Sequence, residues 1–150
     1  LGTYQGRSAM VLAMGTMGDG QHRRIVSIDN YSEGTNAKEP ERGGQPDFWD
    51  VQRKFKCRGR VYLVQGETNV IPAPVRGQDI AMVFVDGDHR REQLYKDIYA
   101  WKPLVVDGGI MAFDDYGSER WPDVKAVVDE TMGDWTQMGE PRGSVIAFRR

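Results

Sequence analysis

The chain has 150 residues, 39% of them hydrophobic and 28% charged, which suits one soluble globular domain able to bury a core without disulfides or structural metal. Its 20 basic and 22 acidic residues nearly cancel, so the overall field disfavours nucleic acid as a partner. No apolar run approaches the roughly 20 residues that cross a bilayer, which excludes a spanning helix.

In chain order, apolar runs of strand length alternate with segments of helical spacing, the signature of βαβ units and a mostly parallel sheet. The first segment, Leu1-Gly2-Thr3-Tyr4-Gln5-Gly6-Arg7-Ser8, is a glycine-bearing turn leading into a helix over residues 6–14. The first amides of that helix and its positive dipole end could face a ligand carboxylate, although two glycines and a serine also make an ordinary loop and cap. A strand is expected over 25–28, ending on Asp29 and Asn30. An acid there, roughly 20 residues beyond a glycine loop, is placed to accept hydrogen bonds from both ribose hydroxyls of a nucleoside. Residues 31–46 read as a polar surface loop, either a lid or a plain insertion, and a helix is expected over 47–56. Cys57 has no second cysteine to pair with, which fits a reducing cytoplasm.

A strand over 60–64 leads to Gln65-Gly66-Glu67-Thr68, where an adenine ring would lie if the preceding segments hold a nucleoside. The strand over 80–85 ends in Asp86-Gly87-Asp88-His89, a helix follows over 91–102, and Gly108-Gly109 is expected to turn into a strand over 110–113 that ends in Asp114-Asp115-Tyr116. Two neighbouring strands thereby each deliver carboxylates at their carboxyl ends. Crowded carboxylates repel unless a cation compensates, so Asp86, Asp114 and Asp115 form a candidate site for Mg2+ or Ca2+. His89 and Asp88 are rival candidates for a base that takes the proton of a hydroxyl. A helix over 122–132 with Pro at its first turn and a strand over 144–148 complete the chain.

With these residues placed, the chain resembles the class I S-adenosylmethionine-dependent methyltransferases. Within them it is most similar to the metal-dependent small-molecule O-methyltransferases of the catechol and caffeoyl-coenzyme A type, and to a related family with Asp-Gly-Asp-His at this place. Leu-Gly-Thr-Tyr-Gln-Gly-Arg-Ser-Ala at 1–9, the strand ending in Asp29, and Phe113-Asp114-Asp115-Tyr116 carry the likeness. The resemblance implies a Rossmann-like, doubly wound α/β fold over 1–150, whose usual first strand would precede Leu1. It implies cofactor contacts from Gly2, Thr3, Tyr4, Gly6, Ser8, Asp29, Asn30, Gly66, Glu67, Thr68, Asp86 and His89, metal ligation by Asp86, Asp114 and Asp115, and methyl transfer to a small-molecule hydroxyl. A homo-oligomer would be compatible with it. Alternative readings are a nicotinamide-dependent oxidoreductase, against which the absence of G-x-G-x-x-G speaks, and a non-catalytic cofactor-binding module.

Overall fold

The computed structural model describes residues 1–3, 6–16, 23–31, 53, 60–73 and 75–150. Apart from Tyr31 and Arg53, the polar loop over 31–46 and the helix over 47–56 lie outside the described residues, as do Tyr4 and Cys57. The chain separates into two compact units, one of Gly2–Thr68 and one of Leu1 with Asn69–Arg150.

In the first unit, helix α1 (Arg7–Gly15) precedes strands β1 (Ile25–Asp29) and β2 (Val61–Gln65). The two strands run parallel, in register from Ile25 opposite Val61 to Asp29 opposite Gln65. Helix α1 is capped at its start by Gly6, whose φ of 77° lies in the left-handed region that glycine enters without a Cβ clash. Ala9 and Ala13 are its buried residues, and Ala9 packs with Met10, Ile25, Tyr31, Val61 and Leu63. Strand β1 buries Ile28 and Ser27. The Ser27 hydroxyl is satisfied by that of Thr3 at 2.8 Å, as a buried polar group requires.

In the second unit, β3 (Ile80–Val85), α2 (Arg91–Trp101), β4 (Val105–Phe113), α3 (Pro122–Thr131), β5 (Thr136–Gln137) and β6 (Ile146–Arg149) build a four-stranded sheet of order β3-β4-β6-β5. The β3–β4 pair is parallel, whereas β6 runs antiparallel to both β4 and β5. Helix α2 buries Leu94, Ile98 and Trp101 and helix α3 buries Val124, Val127 and Val128, the stripes that 3.6-residue periodicity predicts. The two helices pack on each other. With Met111, Phe113, Met132 and Ile146 these side chains form the core, each contributing about 1.5–3 kcal/mol through removal from water. Phe113 meets Phe148 edge to face at 6.2 Å. Among the described residues no helix is long and apolar enough to cross a membrane.

One expectation is corrected. Gly108 and Gly109 do not turn the chain into a strand that starts at Ile110; they lie inside β4, which starts at Val105. Pairing passes from Ile80 opposite Val105 directly to Met82 opposite Ile110, so β4 carries extra residues as a bulge. Gly108, at φ 76°, makes the kink, and Gly109 comes so close to Val105, Val106 and Ala81 that a Cβ would not fit.

Candidate active site

In the first unit the glycine turn folds onto the end of β1. Gly2, at φ 81°, donates its N–H to the Ile28 carbonyl at 2.8 Å, and Gly6 donates to the Thr3 carbonyl at 2.7 Å. These two bonds carry Thr3 past Asp29. The Thr3 amide donates to Asp29 Oδ2 at 2.7 Å, and the Tyr31 amide donates to Oδ1 at 2.8 Å. The carboxylate expected to meet a ribose is thus oriented by two backbone donors, one from the turn and one from its own strand end. A carboxylate can accept about four hydrogen bonds, so ribose hydroxyls can join these amides.

The end of β2 lies beside the end of β1. Gly66 donates its N–H to the Asp29 carbonyl at 2.9 Å, and Asn30 Nδ2 donates to Glu67 Oε1 at 3.2 Å. Asp29, Asn30, Gly66 and Glu67 therefore come together, with Thr68 next in the chain; Ser8 sits in the first turn of α1. Tyr31 is a residue that the sequence did not single out. It holds φ 52°, costly for a non-glycine residue, and burial, reinforced by the charge of Asp29 and opposed by Thr3, pushes its phenol up to about 12.

In the second unit the ends of β3 and β4 carry the acids. The Asp86 amide donates to the Leu1 carbonyl at 2.9 Å, and the Asp114 amide donates to the Val85 carbonyl at 3.0 Å, which fixes both strand ends. Asp86, His89 and Asp115 each offer one ligand atom, and these atoms lie within 4.8 Å of one another. Asp115 reaches this group from φ 55°, a left-handed conformation that Asp tolerates better than most residues. Asp114 turns elsewhere: its Oδ1 accepts from the Ser144 hydroxyl at 2.5 Å and from the Asp115 amide at 2.9 Å. The three carboxylates expected to converge are therefore two carboxylates and an imidazole, with Asp114 supporting the turn.

The two candidate bases differ sharply. Asp88 is clasped by Arg90, whose amide and guanidinium donate to both carboxylate oxygens. Burial alone would raise the Asp88 carboxyl, but the bonds and charge of Arg90 outweigh it and hold the group below its ordinary value. His89 stacks on Trp121 with ring centroids 4.7 Å apart and 22° between planes. Burial lowers its pKa against the opposing pull of Asp115, Asp88 and Asp114. Its Nε2 lies 3.1 Å from Asp115 Oδ2 without hydrogen-bond alignment, so the buried nitrogen makes no hydrogen bond.

In the first unit the ends of β1 and β2 can orient a nucleoside ribose; in the second the ends of β3 and β4 can accept a proton and hold a cation. A family model described as a methyltransferase domain matches residues 1–116. An uncharacterized protein of Acanthamoeba polyphaga mimivirus is 36% identical over 56 residues, which span 37% of this chain and only 25% of that protein. Among solved structures, the calicheamicin methyltransferase CalS11 superposes with a TM-score of 0.75 at 19% identity, over 99% of this chain and 69% of that one. The O-methyltransferase NovP gives 0.71 at 19% identity, over 98% and 68%. At these identities the likeness is one of fold, and that fold is Rossmann-like.

Proposed function

Because this chain belongs to the methyltransferase-domain family, which it matches over residues 1–116, we propose that it transfers the methyl group of S-adenosylmethionine to a hydroxyl of a small molecule. The observation that carries the reading is Asp29 at the end of β1, held by the amides of Thr3 and Tyr31. A fixed acceptor beside a glycine turn suits a ribose edge, and Asn30, Gly66 and Glu67 next to it suit the rest of the nucleoside. The likeness to CalS11 and NovP, a calicheamicin methyltransferase and an O-methyltransferase, favours an oxygen acceptor on a small molecule.

When bound, S-adenosylmethionine supplies a methyl group on a sulfonium sulfur, and a divalent cation such as Mg2+ supplies charge that lowers the pKa of a hydroxyl near it. Asp86 and Asp115 would hold such a cation beside His89, whose buried and unsatisfied Nε2 marks a place that suits a positive group. In that transfer the acceptor oxygen would form the new C–O bond as the C–S bond broke, its electron pair returning to sulfur. The hydroxyl proton passes to His89 or Asp88. His89, with a lowered pKa and no hydrogen bond on Nε2, could take it directly, whereas Asp88 would first have to loosen the grip of Arg90. The chain's main contribution is alignment of the two reactants.

Calorimetry with S-adenosylhomocysteine tests the cofactor assignment. Binding in the micromolar range is expected, and Asp29→Ala should weaken it about 10- to 100-fold, the value of a hydrogen bond to a charged group. Absence of binding to the full chain would overturn the reading. Transfer of a labelled methyl group to members of a hydroxyl-bearing acceptor panel then identifies the substrate.

A further inference from the structure

We propose that the cation site at the ends of β3 and β4 is a mixed nitrogen–oxygen site, in which His89 Nε2 is a donor beside Asp86 and Asp115, and that it takes Mn2+ or a later first-row cation in preference to Mg2+. The proposal rests on the methyltransferase reading only in expecting a cation at this place.

The geometry points first to His89. Donor atoms that share one ion at about 2.1 Å stand roughly 3.0 Å apart at right angles and roughly 3.4 Å apart at tetrahedral angles. His89 Nε2 and Asp115 Oδ2 are 3.1 Å apart, within that interval, and the ligand atoms of all three residues lie within 4.8 Å. The nitrogen is buried and makes no hydrogen bond: the in-plane direction in which Nε2 would bond passes beside the Asp115 oxygen, as it does when two donors face one ion set off the line between them. A protonated Nε2 would be expected to align on the oxygen, and it does not.

The surroundings hold the ring for this role. Trp121 stacks on the imidazole at 4.7 Å and carries the Arg120 guanidinium 5.1 Å from its own ring centroid. Trp121 is anchored in turn by its N–H to the Ser118 carbonyl at 3.1 Å and by its carbonyl to the Val124 N–H at 3.1 Å, at the start of α3. Asp114, which would have made the site purely oxygen, is engaged by Ser144. Imidazole nitrogen is a donor suited to transition cations, with affinity rising from Mn2+ to Cu2+, whereas Mg2+ demands near-octahedral oxygen ligation.

The test uses the full chain and metal ions alone. Titration of Mn2+ followed by the paramagnetic resonance of the free ion should show one bound equivalent, displaced by Mg2+ only at about 10-fold or greater excess. His89→Gln should lower Mn2+ affinity about 10-fold or more while Mg2+ affinity stays within about 2-fold, so that the preference collapses. If the variant fails to fold, the wild-type protein still decides: echo modulation on bound Mn2+ should carry the signature of a directly coordinated imidazole nitrogen. Equal competition by Mg2+, no nitrogen signature, or no Mn2+ binding would each overturn the proposal. S-adenosylhomocysteine binding without Mn2+ binding would refute this site and leave methyl transfer standing; nitrogen-ligated Mn2+ without S-adenosylhomocysteine binding would do the reverse.

Discussion

Tyr31 and Asp115 share a feature that links local strain to function: both are non-glycine residues in the left-handed region, at φ 52° and 55°, and each follows a strand-end acid. Such conformations cost of order 1–3 kcal/mol and persist where surrounding contacts over-determine them. At Tyr31 the return is an amide aimed at Asp29. The phenol is also half-buried near that charge, and its pKa is pushed up to about 12 from 10.0. The folded state therefore holds a proton, between about pH 10 and 12, that the unfolded chain has released. Stability must fall as pH rises through that window and be fully present below it. Denaturant midpoints measured from pH 9 to 12 should decline less steeply for Tyr31→Phe than for the wild type. Superimposable profiles would mean that the phenol titrates normally.

At the level of elements, legibility followed from whether the signal was local. Strand β3 was readable to the residue because Ile80–Val85 is an unbroken apolar run, and the stripes Leu94, Ile98, Trp101 and Val124, Val127, Val128 named both helices of the second unit. Strand β4 was not, because Asp107-Gly108-Gly109 interrupts its pattern and reads as a turn. The two-residue β5 and the antiparallel direction of β6 depend on partners, which periodicity does not report. The site divides in the same way. Asp29 and its glycine turn were legible from spacing, whereas the choice of Asp115 over Asp114 as companion of His89 depends on Ser144, 30 residues beyond Asp114. The bulge itself makes a sharp prediction. A Cβ on Gly109 would stand 2.6 Å from Val105 Cγ1 and 2.8 Å from the Val106 oxygen, so Gly109→Ala should cost about 1–3 kcal/mol, as overpacking does. A Cβ on Gly133 meets nothing within 4 Å, so Gly133→Ala should stay within about 0.5 kcal/mol of the wild type. Urea midpoints of the two variants that do not differ would show that β4 passes Ala81 less closely.

For the molecule as a whole, a net charge of −2 provides little field to draw in or repel a ligand, so affinity for a cofactor has to come from contacts. The first unit fixes the residues proposed to make them by backbone bonds: the amides of Gly2, Thr3, Gly6, Tyr31 and Gly66 all bond at the ends of β1 and β2 or within the turn beside them. Contacts of this kind exist only in the folded chain, because unfolding separates the Thr3 amide from Asp29, 26 residues away. S-adenosylhomocysteine should therefore bind the native state alone and stabilise it by mass action. At 100 times its dissociation constant the gain is about 2.7 kcal/mol, or roughly 5–10 °C in Tm for a domain of this length. The shift should grow with the logarithm of ligand concentration and shrink in Asp29→Ala, whose binding is weaker. Thermal scans of the full chain that stay flat up to millimolar ligand would remove the cofactor from the account of this fold, whatever the cations do at His89.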